Sequence, residues 1–295
     1  MSRTSTFIRP PTMKGAKDAL GVLSRPGPHE VRHGDLGLVG LPGVVYTPAS
    51  GLGLPAVVLG HDWMQPVRRY VELLRHLASW GIVAAAPDTQ GSPLPSVTRF
   101  STDLLTTLDV CVGVRLGDGR ISVDSRRTAL AGHGIGGGAA ILAASRRERL
   151  GAVLTLAPVE VRPSAVEAAR NVTAPTLHLA AEVDSMAPTA GHAERMAAAA
   201  GGPVQVRTLE KAGHLGFCEG LHWSGMLTGD KAQPKVRRTA RALVTAFLLE
   251  HLQGESRVSA LTGGDVKGAP LVDLTPDESE DSDEARDPLK ILGPA

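Results

Sequence analysis

The sequence predicts an α/β domain whose mostly parallel sheet is covered by helices on both faces. Two observations predict it. Short apolar runs alternate with segments of helical period along most of the chain. A glycine-rich turn, Gly132 to Gly138, joins the apolar run Ala129–Ala131 to the Ala- and Leu-rich run Ala139–Ser145, which reads as strand, sharp turn and helix. No internal repeat interrupts the pattern.

In chain order, residues 1–30 are rich in Pro, Gly, Ser and Thr and read as an N-terminal arm. Val31 to Tyr46 alternates apolar residues around Gly-Asp and Pro-Gly, as in an opening hairpin. Leu54–Gly60 is a buried strand ending in His61-Asp62-Trp63-Met64. Val67 to Trp80 has apolar residues at helical spacing and stops at Gly81. Ile82–Ala86 is a strand, and a helix is predicted from about 98 to 115. Beyond the glycine-rich turn, strands are predicted at 152–156, 175–180 and 204–209, with helices at 188–200 and 233–253. The closing helix carries Val236, Ala240, Leu243, Val244, Phe247 and Leu248 on one stripe. The domain is thus expected over 31–252. Residues 253–295 are expected to form a disordered acidic tail, because Asp273, Asp277, Glu278, Glu280, Asp281, Asp283, Glu284 and Asp287 leave little apolar surface to bury. Such a run reads as a solubilising tail or as a docking site for a protein partner.

Composition narrows the function classes. A net charge of +1 gives no reason to expect nucleic acid as partner, and aromatics at 3% do not favour a base- or sugar-stacking site. Cys111 and Cys218 form no metal-binding spacing and read as free thiols. Met1 to Lys17 lacks an apolar leader core and no apolar run has membrane-spanning length, so a cytoplasmic location is expected.

The chemistry sits in three places. Gly132-His133-Gly134-Ile135-Gly136 fits the nucleophile-elbow frame G-x-S-x-G with glycine where serine should stand. A phosphate loop would need a terminal Gly-Lys-Ser/Thr, which is missing. After strand 175–180 comes Glu182-Val-Asp184-Ser-Met-Ala-Pro188, and after 204–209 comes Lys211-Ala-Gly-His214. Elbow, Asp and His fall in the triad order of one hydrolase superfamily.

On these motifs the chain resembles the α/β-hydrolase superfamily, in its dienelactone hydrolase-like and cutinase-like bacterial branch that includes polyester hydrolases. The likeness covers roughly residues 31–252. It implies an α/β-hydrolase fold, His214 as general base and Asp184 as its orienting carboxylate. It also implies an oxyanion hole from the Ile135 N–H and one of the His61 or Asp62 N–H groups. Only a short interval separates Ala157 from Pro175, so no large lid is expected. No cofactor is implied, and the expected ligand is a small acyl or ester-like molecule.

Gly134 has no side chain to form an acyl-enzyme, so ester hydrolysis is expected to be impaired or lost. Alternatives are a working esterase using water activated by His214, an engineered-inactive esterase, or a non-enzymatic binding or scaffold protein. Cys218 lies off the elbow and reads as a packed residue rather than a substitute nucleophile. His61, Asp62, His133 and His214 lack metal-ligand spacing, so no metal site is expected.

Overall fold

The computed structural model describes residues 11–220 and 233–275. Eight strands form one sheet: β1 (Val31–Asp35), β2 (Gly43–Pro48), β3 (Gly51–Gly60), β4 (Val83–Pro87), β5 (Ile121–His133), β6 (Ala152–Leu156), β7 (Thr176–Ala181) and β8 (Val204–Leu209). Their order is β1-β2-β4-β3-β5-β6-β7-β8. β1 and β2 pair antiparallel, β2 joins β4 antiparallel, and every other pair is parallel. The α/β-hydrolase architecture expected from the sequence is therefore the one observed.

The central strands are apolar on both faces because helices cover both. One core lies against α2 (Val71–Ser79) and α7 (Pro234–Gln253), and includes Leu74, Leu77, Leu154, Leu179, Leu243 and Phe247. The other lies against α3 (Val97–Gly113) and α4 (Ile135–Ala144), and includes Val58, Phe100, Leu104, Leu108, Leu130 and Ile141. Glycine lets α4 sit close to the sheet: a Cβ on Gly136 would lie 2.4 Å from the carbonyl oxygens of Gly60 and His61. Between β6 and β7 stands only the five-residue α5 (Ala165–Ala169), so no large lid is inserted there.

Three sequence expectations change. The arm contains α1 (Ala16–Leu23), which buries Ala19 and Leu23 in the core shared with α7. Flanking glycines and prolines masked its short apolar stripe. The helix expected over 188–200 divides into a 3-10 turn, Thr189–Gly191, and α6 (Ala193–Ala198). Residues 254–275, expected to belong to the tail, fold back on the domain instead, with Val258, Leu261, Val266 and Ala269 buried. Those four apolar residues, dispersed among Gly, Ser and charges, gave no period to read. Most of the acidic run, from Asp277 on, lies outside the described residues.

Candidate active site

The carboxyl ends of β3, β5, β7 and β8 deliver Asp62, Gly134, Asp184 and His214 to one point, as ligand sites in parallel sheets require. The turn between β5 and α4 has the sharp geometry of an elbow. Gly134 sits at φ 53°, ψ −120°, a conformation hostile to a side chain. Asp184 is held in its turn by the N–H groups of Met186 and Ala187, both donating to its Oδ1 at 2.9 Å. Its Oδ2 accepts from His214 Nδ1 at 2.7 Å. Asp184 and His214, the pair expected from the sequence, are thus hydrogen-bonded to each other.

The nucleophile's place is filled by a different group. A Cβ built on Gly134 would lie 1.8 Å from Asp62 Oδ1 and 2.3 Å from Asp62 Cγ. The Asp62 carboxylate therefore occupies the space in which a side chain at position 134 would begin. Its Oδ1 accepts from the Ile135 N–H at 3.0 Å, and its Oδ2 lies 3.1 Å from His214 Nε2. These are the two partners expected for an oxyanion and for a nucleophile, and one internal carboxylate holds both.

The electrostatics follow from this bracketing. His214 is buried, 1% exposed, and burial alone would favour the neutral ring. Hydrogen bonds to Asp184 and Asp62, with their charges, reverse that and raise its pKa to about 10. Burial likewise pushes the Asp62 carboxyl up, but the bond to His214 and the neighbouring imidazoles outweigh it and leave its pKa at about 2. Asp184 is shifted down in the same way, its bond from His214 outweighing burial. At neutral pH the arrangement is carboxylate, imidazolium, carboxylate. Both ring nitrogens of His214 are donors, and neither is left to accept a proton.

Behind this row lies a neutral relay that the sequence did not reveal. The Asp62 N–H donates to the Tyr70 hydroxyl at 3.1 Å. The Tyr70 hydroxyl meets His133 Nδ1 at 2.8 Å, and His133 Nε2 meets the His214 carbonyl oxygen at 2.9 Å. Since the carbonyl can only accept, the proton of His133 is on Nε2 and Tyr70 donates to Nδ1. Burial lowers the His133 pKa to about 4 and keeps it neutral. Of the donors expected for an oxyanion hole, the Ile135 N–H is thus taken by Asp62 Oδ1 and the Asp62 N–H by the Tyr70 hydroxyl. His61 contributes nothing to it through its ring, whose nitrogens face the carbonyl oxygens of Asp62 and Thr89.

Two other groups bear on the chemistry. Cys218 is buried beside Tyr70 and His133, its Sγ 3.5 Å from each, and burial pushes its thiol up to about 12. The thiol is the protonated, unreactive form and stands off the elbow. One possible ligand atom from each of Asp62, His133 and His214 lies within 4.8 Å of the others, three of the four residues whose spacing gave no metal pattern. Both nitrogens of the His133 and His214 rings already have hydrogen-bond partners, which a metal would have to displace.

Residues 22–218 match the family model described as PETase, PET hydrolase-like. The chain belongs to the PET hydrolase-like family. Family relatives include a cutinase, est1, of Thermobifida alba, 30% identical over 175 residues, 58% of this chain and 57% of that protein. A bis(hydroxyethyl) terephthalate hydrolase of Streptomyces coelicolor is 34% identical over 154 residues, 52% of this chain and 47% of that protein. Cutinase 1 of Thermobifida cellulosilytica is 29% identical over 152 residues, 52% and 56% of the two chains. The PET hydrolase-like chain spans about half the length of the curated relatives it matches. Its family is one of ester hydrolases. Among the described residues no helix is long and apolar enough to cross a membrane.

Proposed function

We propose that this chain is an ester hydrolase by descent whose covalent route is closed by its own Asp62. The single observation that carries the proposal is the Asp62 carboxylate on the elbow, bonded at once to the Ile135 N–H and to His214 Nε2. Glycine at 134 removes the attacking oxygen. Asp62 fills the space, neutralises the oxyanion donor and holds His214 as a cation. A general base must be able to take a proton, and an imidazolium between two carboxylates cannot. The same geometry counts against a route through water activated by His214.

Residual recognition of an apolar acyl group has one feature in its favour. Trp63 (41% exposed) and Val183 (67% exposed), next in sequence to Asp62 and Asp184, are exposed apolar residues. The proposal is tested by hydrolysis of a short-chain p-nitrophenyl ester by the parent, Gly134→Ser and Gly134→Ser/Asp62→Ala. Activity confined to the double variant supports it. His214-dependent turnover by the parent overturns it.

A further inference from the structure

We infer that residues 255–275 are an edge strap, anchored by Arg207, that keeps β8 from pairing with a second copy of this chain. The two edges of the sheet are treated differently. At one edge, β1 is five residues long and presents Arg32 and His33 to solvent. Short, charged edges resist pairing with other chains. At the other edge, β8 (Val204–Leu209) has no charged side chain on its surface, since its one ionic residue, Arg207, is fully buried.

The strap supplies what β8 lacks. Residues 268–272 run antiparallel beside it: Val272 N–H donates to the Val206 carbonyl at 2.8 Å, Thr208 N–H to Pro270 at 3.2 Å and Glu210 N–H to Gly268 at 3.0 Å. Val272 and Leu274 pack over Ala180, Ala193, Ala197 and Val206. Arg207 then ties the strap from beneath. Its Nη1 donates to the Ala269 carbonyl at 3.0 Å, and its Nη2 reaches those of Thr262 at 2.7 Å, Gly264 at 2.8 Å and Leu261 at 3.4 Å. Every hydrogen-bond acceptor shown for this buried cation comes from the strap. Removing the strap would strip the Arg207 guanidinium of every acceptor shown for it and open the Val206 carbonyl and the Thr208 and Glu210 N–H groups along the edge. An antiparallel β8 from a second copy satisfies those groups in the same way. The strap lies C-terminal to residues 22–218, the stretch matched to the family, so it is a feature of this chain beyond that stretch.

The test uses the full chain with a protease site inserted after the exposed Gly254, cut after folding so that folding is not at issue. A second version carries Arg207→Met. Molar mass is followed by light scattering before and after cutting, with and without a synthetic peptide of residues 255–275. The uncut chain is expected to be a monomer. Cutting should release the strap on dilution, at least tenfold faster with Arg207→Met, and shift the body to a dimer that the peptide returns to monomer. A body that stays monomeric without its strap overturns the inference, as does a dimer the peptide leaves intact. A strap that remains bound equally well with Arg207→Met overturns the role of Arg207.

Discussion

Restoring serine at position 134 should fail by itself and succeed when Asp62 is shortened. A Cβ at 134 meets Asp62 Oδ1 at 1.8 Å, roughly half an ordinary van der Waals contact, so the carboxylate must leave its seat. Leaving breaks two hydrogen bonds to a charged group, about 1.5–3 kcal/mol each, and a side chain at φ 53° adds about 1–2 kcal/mol. Gly134→Ser alone should therefore lose roughly 4–8 kcal/mol of a stability that is typically 5–15 kcal/mol, and Tm should fall by ~10 °C or more. Adding Asp62→Ala removes the collision, frees the Ile135 N–H and leaves His214 with Asp184 as its only carboxylate. Its pKa then drops toward the range where it can act as a base. Loss of a nucleophile costs up to ~10⁶ in kcat in well-studied serine hydrolases, so recovery of even ~10²-fold over the parent is a modest demand. The assay is p-nitrophenyl butyrate hydrolysis beside thermal unfolding, with His214→Ala in the double variant as control. If Gly134→Ser alone is as active and as stable as the double variant, the carboxylate does not block the elbow and the reasoning fails.

Three further outcomes follow from the same geometry. His214 should stay an imidazolium to about pH 10 by ¹⁵N NMR, and Asp62→Asn should lower that titration; a ring titrating near pH 6.5 in the parent would refute the bracketed cation. Stability should peak near neutral pH. His214 binds its proton more tightly when folded, so its contribution is full below about 6.5 and is lost as pH rises toward about 10. His76, His133 and His178 have folded values lowered chiefly by burial to about 3, 4 and 4, so stability falls as pH drops below 6.5; Asp62, at about 2, adds a loss below 3.8. Urea unfolding across pH should show both limbs, and Asp62→Asn should move the alkaline one to lower pH. Zinc at neutral pH should leave Tm unchanged; a rise of several degrees would mean that Asp62, His133 and His214 exchange their proton and hydroxyl partners for a metal.

The sheet was legible because parallel strands buried on both faces are written as short apolar runs, and five of the eight are placed within a few residues of their observed bounds. The sharp turn at Gly134 and the strand-end positions of Asp184 and His214 were legible because turn chemistry and strand ends are local. The role of Asp62 was not. It depends on a side chain from β3 crossing to a turn between β5 and α4, 72 positions later, and no local pattern encodes that approach. The available signal was a pairing of two oddities: a carboxylate immediately after β3 and a glycine in the serine frame. Tyr70 carried less signal still, since an aromatic residue in a helical stripe reads as core. The strap was illegible for a related reason: its backbone carbonyls meet a buried arginine on β8 and acquire meaning only once the edge is known to be open.

On the proposed reading, Asp62 and Gly134 work as one device rather than independently. Glycine alone would leave His214 facing an empty elbow, with a free Ile135 N–H and room for water, which is the arrangement a slow water-based hydrolase needs. The carboxylate alone would collide with any serine at the elbow. Together they give a site in which each donor has an acceptor and each charge a partner, and a buried polar cluster is tolerable on those terms. The Tyr70 hydroxyl extends the same logic to the Asp62 N–H, and His133 carries it on to the His214 carbonyl. A tyrosine replaced by phenylalanine would leave the Asp62 N–H unpaired, at about 1–3 kcal/mol, and His133 Nδ1 with only the weak Cys218 thiol at 3.5 Å. Tyr70→Phe should therefore lower Tm by several degrees without producing ester turnover. Turnover on that change alone would show that the second oxyanion donor, and not the Asp62 carboxylate, is what closes the site.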